Sequence, residues 1–186
     1  MDPQQVIDFW FGEPGSAAHG TRRREWFRKC PLFDDDIRRR FLPLYEAAAA
    51  GGLPHWDRDP RSLLALIILL DQFPRNIFRG GAHAFATDPL ARAVARSALA
   101  DGFADATDAL MRPIFYLPFM HSEFLADQDL SLRLHEAFGD EDLLGYAVQH
   151  RDIIKRFGRF PHRNRALGRE TTAAERAFLQ AGGFAG

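Results

Sequence analysis

The stretch that decides the fold runs from Asp59 to Asn76 and reads DPRSLLALIILLDQFPRN. Asp59 before Pro60 supplies a helix cap followed by a first-turn proline, two residues whose chemistry suits the unpaired N–H groups at a helix start. The run from Ser62 to Phe73 that follows is apolar on every side of a helix. A helix with no polar face has to be surrounded by protein, so this one is expected at the centre of the fold. At its far end Pro74 disfavours the α conformation at Phe73. The helix is therefore expected to stop near Asp71, leaving Arg75, Asn76 and Arg79 on the turn beyond it.

The rest of the chain is helical by the same signals. Asp2-Pro3 repeats the cap-and-proline pair, and Val6, Phe9 and Trp10 follow at helical spacing. A loop rich in small residues, 12–20, separates this segment from a second helix over 33–51, with Ile37, Phe41 and Leu44 on one face. Pro43 lies inside that helix and predicts a kink or a break. Asp88-Pro89 opens another helix ending near Gly102, and an apolar one is expected from Pro113 to about Leu125. Further helices are expected over 130–138 and 141–157. Thr172 with Glu175 forms a capping box for the last. Alternating β-branched runs joined by hairpin turns occur nowhere. The expectation is an all-α chain of seven to nine helices packed as antiparallel pairs, forming a single domain over 1–186 with no fixed repeat period.

At 186 residues, with 46% hydrophobic and 26% charged side chains, the chain can bury a full core. A net charge of -1 gives no general attraction to nucleic acid or to an anionic membrane. Cys30 is the lone cysteine, which excludes an internal disulfide and a thiolate zinc cage and fits a reducing compartment. The N-terminus lacks the basic-then-apolar order of a targeting signal, and no apolar run approaches bilayer length, so a cytoplasmic protein without membrane contact is expected. Charge is segregated along the chain. Residues 150–169 hold seven basic side chains against Asp152 alone, a net of +6 that leaves -7 for the remainder.

Two stretches echo each other: Phe73-Pro-Arg-Asn76 and Phe160-Pro-His-Arg-Asn164. Between them lies FYLPFMHSE, where Pro118 interrupts an apolar helix just before His121, Ser122 and Glu123. A contiguous His-Ser-Glu set cannot act as a catalytic triad on a helix, because successive side chains point about 100° apart. His121 is expected to be partly buried. An unpaired buried carboxylate is costly, so Glu123 must have an arginine, a histidine or a metal beside it. Farther on, Tyr146, His150, Ile153 and Phe157 form one inward stripe that Gly158 ends. Arginines alternating with Phe157 and Phe160 have the texture of a single-strand nucleic-acid surface. No RNA-binding motif accompanies them, so nucleic acid is not assigned as a partner. His121, Glu123, His150 and His162 are metal-ligating residue types, but their spacing matches no recognised site, and no metal is assigned. No glycine-rich phosphate loop occurs, and the sequence names no cofactor.

In combination, QFPRNIFRG, FYLPFMHSE and FGRFPHRNRALGRET resemble the domain-of-unknown-function family nine-two-four. The resemblance extends from DFWFG near the start to the final helix. It implies a tetratricopeptide-like all-helical fold of antiparallel pairs, and it implies no activity. From the residues themselves we expect the polar motif side chains to converge on a pocket for a small anionic ligand. Arg75, Asn76, Arg79, His162, Arg163 and Asn164 would bind it, and His121, Glu123 and His150 would provide acid/base groups. The alternative is a scaffold for a protein or peptide partner, in which the same residues form an internal network. A scaffold predicts mutually bonded motif side chains beside an exposed groove. A binding protein predicts a pocket with unfilled hydrogen-bonding capacity. Trp26, Phe27 and Trp56 serve a core or a homodimer equally well.

Overall fold

The computed structural model describes residues 2–26, 28–57 and 59–185. Every regular element among them is helical. The chain divides into two compact units, one made of Met1–Arg79 and His83–Pro118, the other of Gly80–Ala82 and Phe119–Gly186.

The first unit contains α1 (Pro3–Phe11), α2 (Pro31–Ala49), α3 (Pro60–Ile67), α4 (Phe73–Ile77) and α5 (Asp88–Ala100). Asp2 and Asp59 cap α1 and α3 through their side chains, as expected. The segment from Ser62 to Asn76 with only Arg75 less than fully buried forms the centre of this unit. Around Phe73 the rings of Phe9, Phe41 and Trp10 pack at centroid distances of 6.0, 4.9 and 5.8 Å. Burying each such ring is worth about 1.5–3 kcal/mol. Trp26 stacks on Trp10 at 5.4 Å and Trp56 is buried, so both belong to this unit's interior; Phe27 lies outside the described residues.

The chain does not leave the helix at Asp71. A π-helical turn, Ile68–Gln72, joins α3 to α4, and Phe73 is itself helical at φ -60° and ψ -38°. The expectation failed because the wider turn makes room for the ring of Pro74. Pro74 has no N–H to offer, and the carbonyl of Leu70 is satisfied instead by the hydroxyl of Thr87 at 2.6 Å. Nor does α2 break: the helix continues through Pro43. Asp88 is the first residue of α5, with Thr87 at the cap position, and its carboxylate lies 3.0 Å from Arg75.

A short helical turn, α6 (Leu117–Met120), spans the divide between the units. The second unit holds α7 (Leu125–Phe138), α8 (Glu141–Phe157) and α9 (Ala173–Gln180). α7 and α8 form a helical hairpin around Gly139 and Asp140, braced by Asp129 and Arg151 at 2.5 Å. Gly158 ends α8 at φ 70°, a conformation that favours glycine. Thr172 and Glu175 complete the expected capping box of α9. The apolar helix expected over 113–125 is absent; a 3₁₀ turn, Arg112–Phe115, and the short α6 replace it. His121, Ser122 and Glu123 therefore lie in the loop before α7, where Ser122 donates to Asp127 at 2.7 Å. On α8 the expected stripe is inward at His150 and Ile153, but Tyr146 is exposed.

Candidate functional site

The ligand-binding residues expected from the first Phe-Pro motif all lie in the first unit. Arg75 is held between two carboxylates on different elements: its Nη1 lies 3.0 Å from Asp88 Oδ1 and its Nη2 lies 3.3 Å from Asp71 Oδ1. It also donates to the Asp71 carbonyl. Burial opposes the charge of Arg75, but Asp71 and Asp88 outweigh it and raise its pKa. Asn76 and Arg79 share a residue that the sequence reading did not single out. Asp34, in the first turn of α2, accepts from Asn76 Nδ2 at 2.8 Å and from the fork of Arg79 at 2.7 and 2.8 Å. Burial alone would raise the pKa of Asp34; the bonds from Arg79 and Asn76 reverse that and lower it.

The remaining expected residues lie in the second unit. Glu123 meets Arg169 end-on, with Oε2 accepting from Nη1 at 2.7 Å and Oε1 from Nη2 at 3.0 Å. Its Oε1 also accepts the backbone N–H of Phe160 at 2.8 Å. The partner that a half-buried carboxylate requires is thus an arginine. Burial pushes the Glu123 pKa up, but Arg169 and the Phe160 N–H bring it below the ordinary value. A carboxylate held as a paired anion is a poor proton acceptor. Arg169 passes the contact on, donating from Nε to Asn164 Oδ1 at 3.0 Å. Asn164 in turn donates to Glu175 Oε2 at 3.2 Å, and Glu175 receives the fork of Arg159 at 2.6 and 2.9 Å. Arg163 donates to the His121 carbonyl at 2.9 Å and lies over the Phe160 ring at 4.6 Å.

His150 and His162 of this unit gather around aromatic rings. His150 is 6.3 Å from His121, 5.5 Å from Phe160 and 4.6 Å from Phe184, ring to ring. His162 packs 5.2 Å from Phe184. The Nδ1 of His150 lies 2.8 Å from the Tyr146 carbonyl, and a carbonyl only accepts, so Nδ1 carries the proton. Burial, followed by the neighbouring His121, pushes His150 down to about 3. Its imidazole is therefore neutral near neutral pH. Among the described residues no group of three or more His, Cys, Asp or Glu side chains is arranged to hold a metal ion.

The two echoed motifs turn out to share a device but not a backbone. Phe73 is helical, whereas Phe160 is extended at φ -86° and ψ 110°. Yet in each case a motif asparagine and a bidentate arginine meet on one carboxylate in the first turn of a helix: Asn76 and Arg79 on Asp34 of α2, Asn164 and Arg159 on Glu175 of α9. A negative charge there also opposes the positive end of the helix dipole. Both motifs fasten their own segment to the start of another helix. Three of the seven basic side chains of 150–169, Arg151, Arg159 and Arg169, are paired with Asp129, Glu175 and Glu123.

A feature that the sequence reading missed lies on the first unit. A cleft of about 520 Å³ runs beside α1 and α2, floored by Phe9, Phe33 and Phe41 and flanked by Arg23, Arg40, Asp8, Glu13 and Asp36. Phe9 and Phe33 stack at 5.4 Å with planes 10° apart. The guanidinium of Arg40 sits 4.8 Å over Phe9, and that of Arg23 sits 4.9 Å over Phe33. Arg23 also donates to the Phe9 carbonyl at 2.8 Å, which fixes its position. Arg40 reaches Asp36 only at 3.6 Å, so its donors are not saturated by that contact. The signal was the spacing of Arg40 from Asp36 and Phe33 on one helix; it says nothing until α1 supplies Phe9.

Comparison with known proteins places the chain in a family. A family model described as bacterial protein of unknown function, DUF924, matches residues 6–183. A solved structure of a protein of unknown function from Agrobacterium tumefaciens is similar to this chain at 44% identity and a TM-score of 0.87, covering 96% of this chain and 97% of that one. No curated protein matches.

Proposed function

We propose that this chain, which belongs to the DUF924 family, binds a small amphoteric metabolite in the cleft beside α1 and α2. The observation that carries this reading is the pair of guanidiniums, Arg23 and Arg40, held over a phenylalanine floor in a cleft of about 520 Å³. That volume falls within the range of small-molecule sites, and apolar walls with a few placed charges are their usual make-up. The arginines suit the ligand's anionic group. Phe9, Phe33 and Phe41 suit an apolar body. Asp8, Glu13 and Asp36 line the same cleft, so a polyanion such as a nucleotide is disfavoured and a compensating ammonium is favoured. The two Phe-Pro motifs serve the fold in this reading. No catalytic step is assigned, because Glu123 is paired with Arg169 and His150 is a weak base.

The test is calorimetric titration with L-phenylalanine and L-leucine, each compared with its decarboxylated amine and its N-acetyl derivative. Saturable binding of the zwitterions, weaker by about tenfold or more for both derivatives and for Arg40→Gln, is expected from losing a charge-assisted contact. Equal binding of all three forms, or no saturable binding, removes this reading. The scaffold reading then takes its place, since mutually bonded motif side chains are what it requires. In that reading the tetratricopeptide-like arrangement implied by the family resemblance presents a groove to a peptide.

A further inference from the structure

The second unit carries an open groove of about 410 Å³ where α8 faces α9 and the segment after it. Its floor is Ile153, Phe157, Phe178 and Phe184. Gly183 closes tightly over Phe178, where an added Cβ would fall 2.5 Å from the ring. Gly145 is different. It lies inside α8, lines the groove, and a Cβ built there meets nothing within 4 Å. Glycine inside a helix is less favourable than alanine. No close packing requires it at this position, and its effect is to leave the groove open.

Arg156 stands at the rim, its guanidinium 4.8 Å over Phe157 and 5.7 Å from Phe178. No described carboxylate pairs with it, although Asp152 lies one helical turn earlier and also lines the groove. Arg156 is exposed, and rings are the contacts of its guanidinium. We infer that this groove binds an amphipathic monocarboxylate, its aliphatic or aromatic tail on Phe157, Phe178 and Phe184 and its carboxylate on Arg156. A single anionic head is favoured over a larger one, because Asp152 supplies opposing charge beside it. Burial of an apolar tail provides most of the affinity, and the exposed ion pair sets the preference for an anion.

The experiment is titration of the full chain with octanoate, 1-octanol and octylamine, followed by chemical shifts of α8 and α9 amides. Octanoate is expected to bind saturably at one site, octanol more weakly and octylamine least. Gly145→Leu fills the groove and is expected to abolish binding while leaving the helix at least as stable, so failure to fold does not confound the result. Arg156→Gln is expected to weaken octanoate about two- to fivefold, the scale of an exposed ion pair, without affecting octanol. Asp152→Asn is expected to tighten octanoate. The inference is overturned if octanoate does not saturate, if Gly145→Leu binds it unchanged, or if octylamine binds as well. It is also overturned if sedimentation shows a dimer that Gly145→Leu disperses, since a second copy then covers the groove.

Discussion

Replacing Glu175 by glutamine is expected to destabilise the second unit and to flatten its acid limb. Glu175 is 2% exposed and is held at about 2 instead of 4.5, chiefly by the hydrogen bonds from Arg159 and then by those from Thr172. At about 1.4 kcal/mol for each tenfold change in proton affinity, that difference corresponds to on the order of 3 kcal/mol. The Arg159 side chain is 29% exposed, so solvent screening discounts the contribution to about 1 kcal/mol. The folded-state pKa is depressed. The stabilisation is therefore complete above the unfolded value near 4.5 and is lost as pH falls towards 2. Trp10, Trp26 and Trp56 all belong to the first unit, so tryptophan fluorescence does not report on this change. Denaturant unfolding followed by far-UV circular dichroism, with hydrogen exchange at α9 amides, is the suitable assay. It should be run between pH 7 and pH 2.5 on wild type, Glu175→Gln, Arg159→Gln and the double variant. A double-mutant coupling below about 0.3 kcal/mol, within the range of independent sites, would refute the reasoning. So would a Glu175→Gln protein with the wild-type acid limb.

Two other outcomes follow from the same structure. Thr87→Val leaves the Leu70 carbonyl unsatisfied beside Pro74 and is expected to cost about 1–3 kcal/mol, read by tryptophan fluorescence in denaturant. Thr87→Ser should recover most of this, and a silent Thr87→Val would mean that Leu70 finds another donor. His150, held down to about 3, should show no imidazole titration by NMR from pH 8 to pH 4. Because the unfolded chain takes up that proton at an ordinary histidine pKa, the contribution of His150 to stability falls as pH drops below about 6.5. A midpoint near 6 in the folded protein would remove the argument from burial.

Helix identity and the central position of 62–76 are legible in the sequence because they depend on local chemistry. Asp-Pro starts, a run apolar on every side and a Thr-x-x-Glu box each specify a backbone state within a few residues. The device shared by the two Phe-Pro motifs was visible only as an echo. The carboxylates that give it meaning, Asp34 and Glu175, lie 42 and 11 positions from the asparagines they bind. The need of Glu123 for a partner could be argued from cost alone, whereas the identity of Arg169 could not.

The sequence by itself determined that this chain is helical and where its most buried helix lies, since hydrophobic periodicity and capping act over one or two turns. The tertiary structure alone decided that the helix continues through Phe73, because a threonine hydroxyl on another segment takes the carbonyl that Pro74 leaves open. It also decided which arginines are consumed and which remain available. Arg79, Arg159 and Arg169 meet carboxylates brought to them by folding, whereas Arg156 is left over rings and Arg40 lies over rings with Asp36 of its own helix at 3.6 Å. An ion pair depends on a separation of a few ångströms, and only packing sets that distance between residues far apart in the chain.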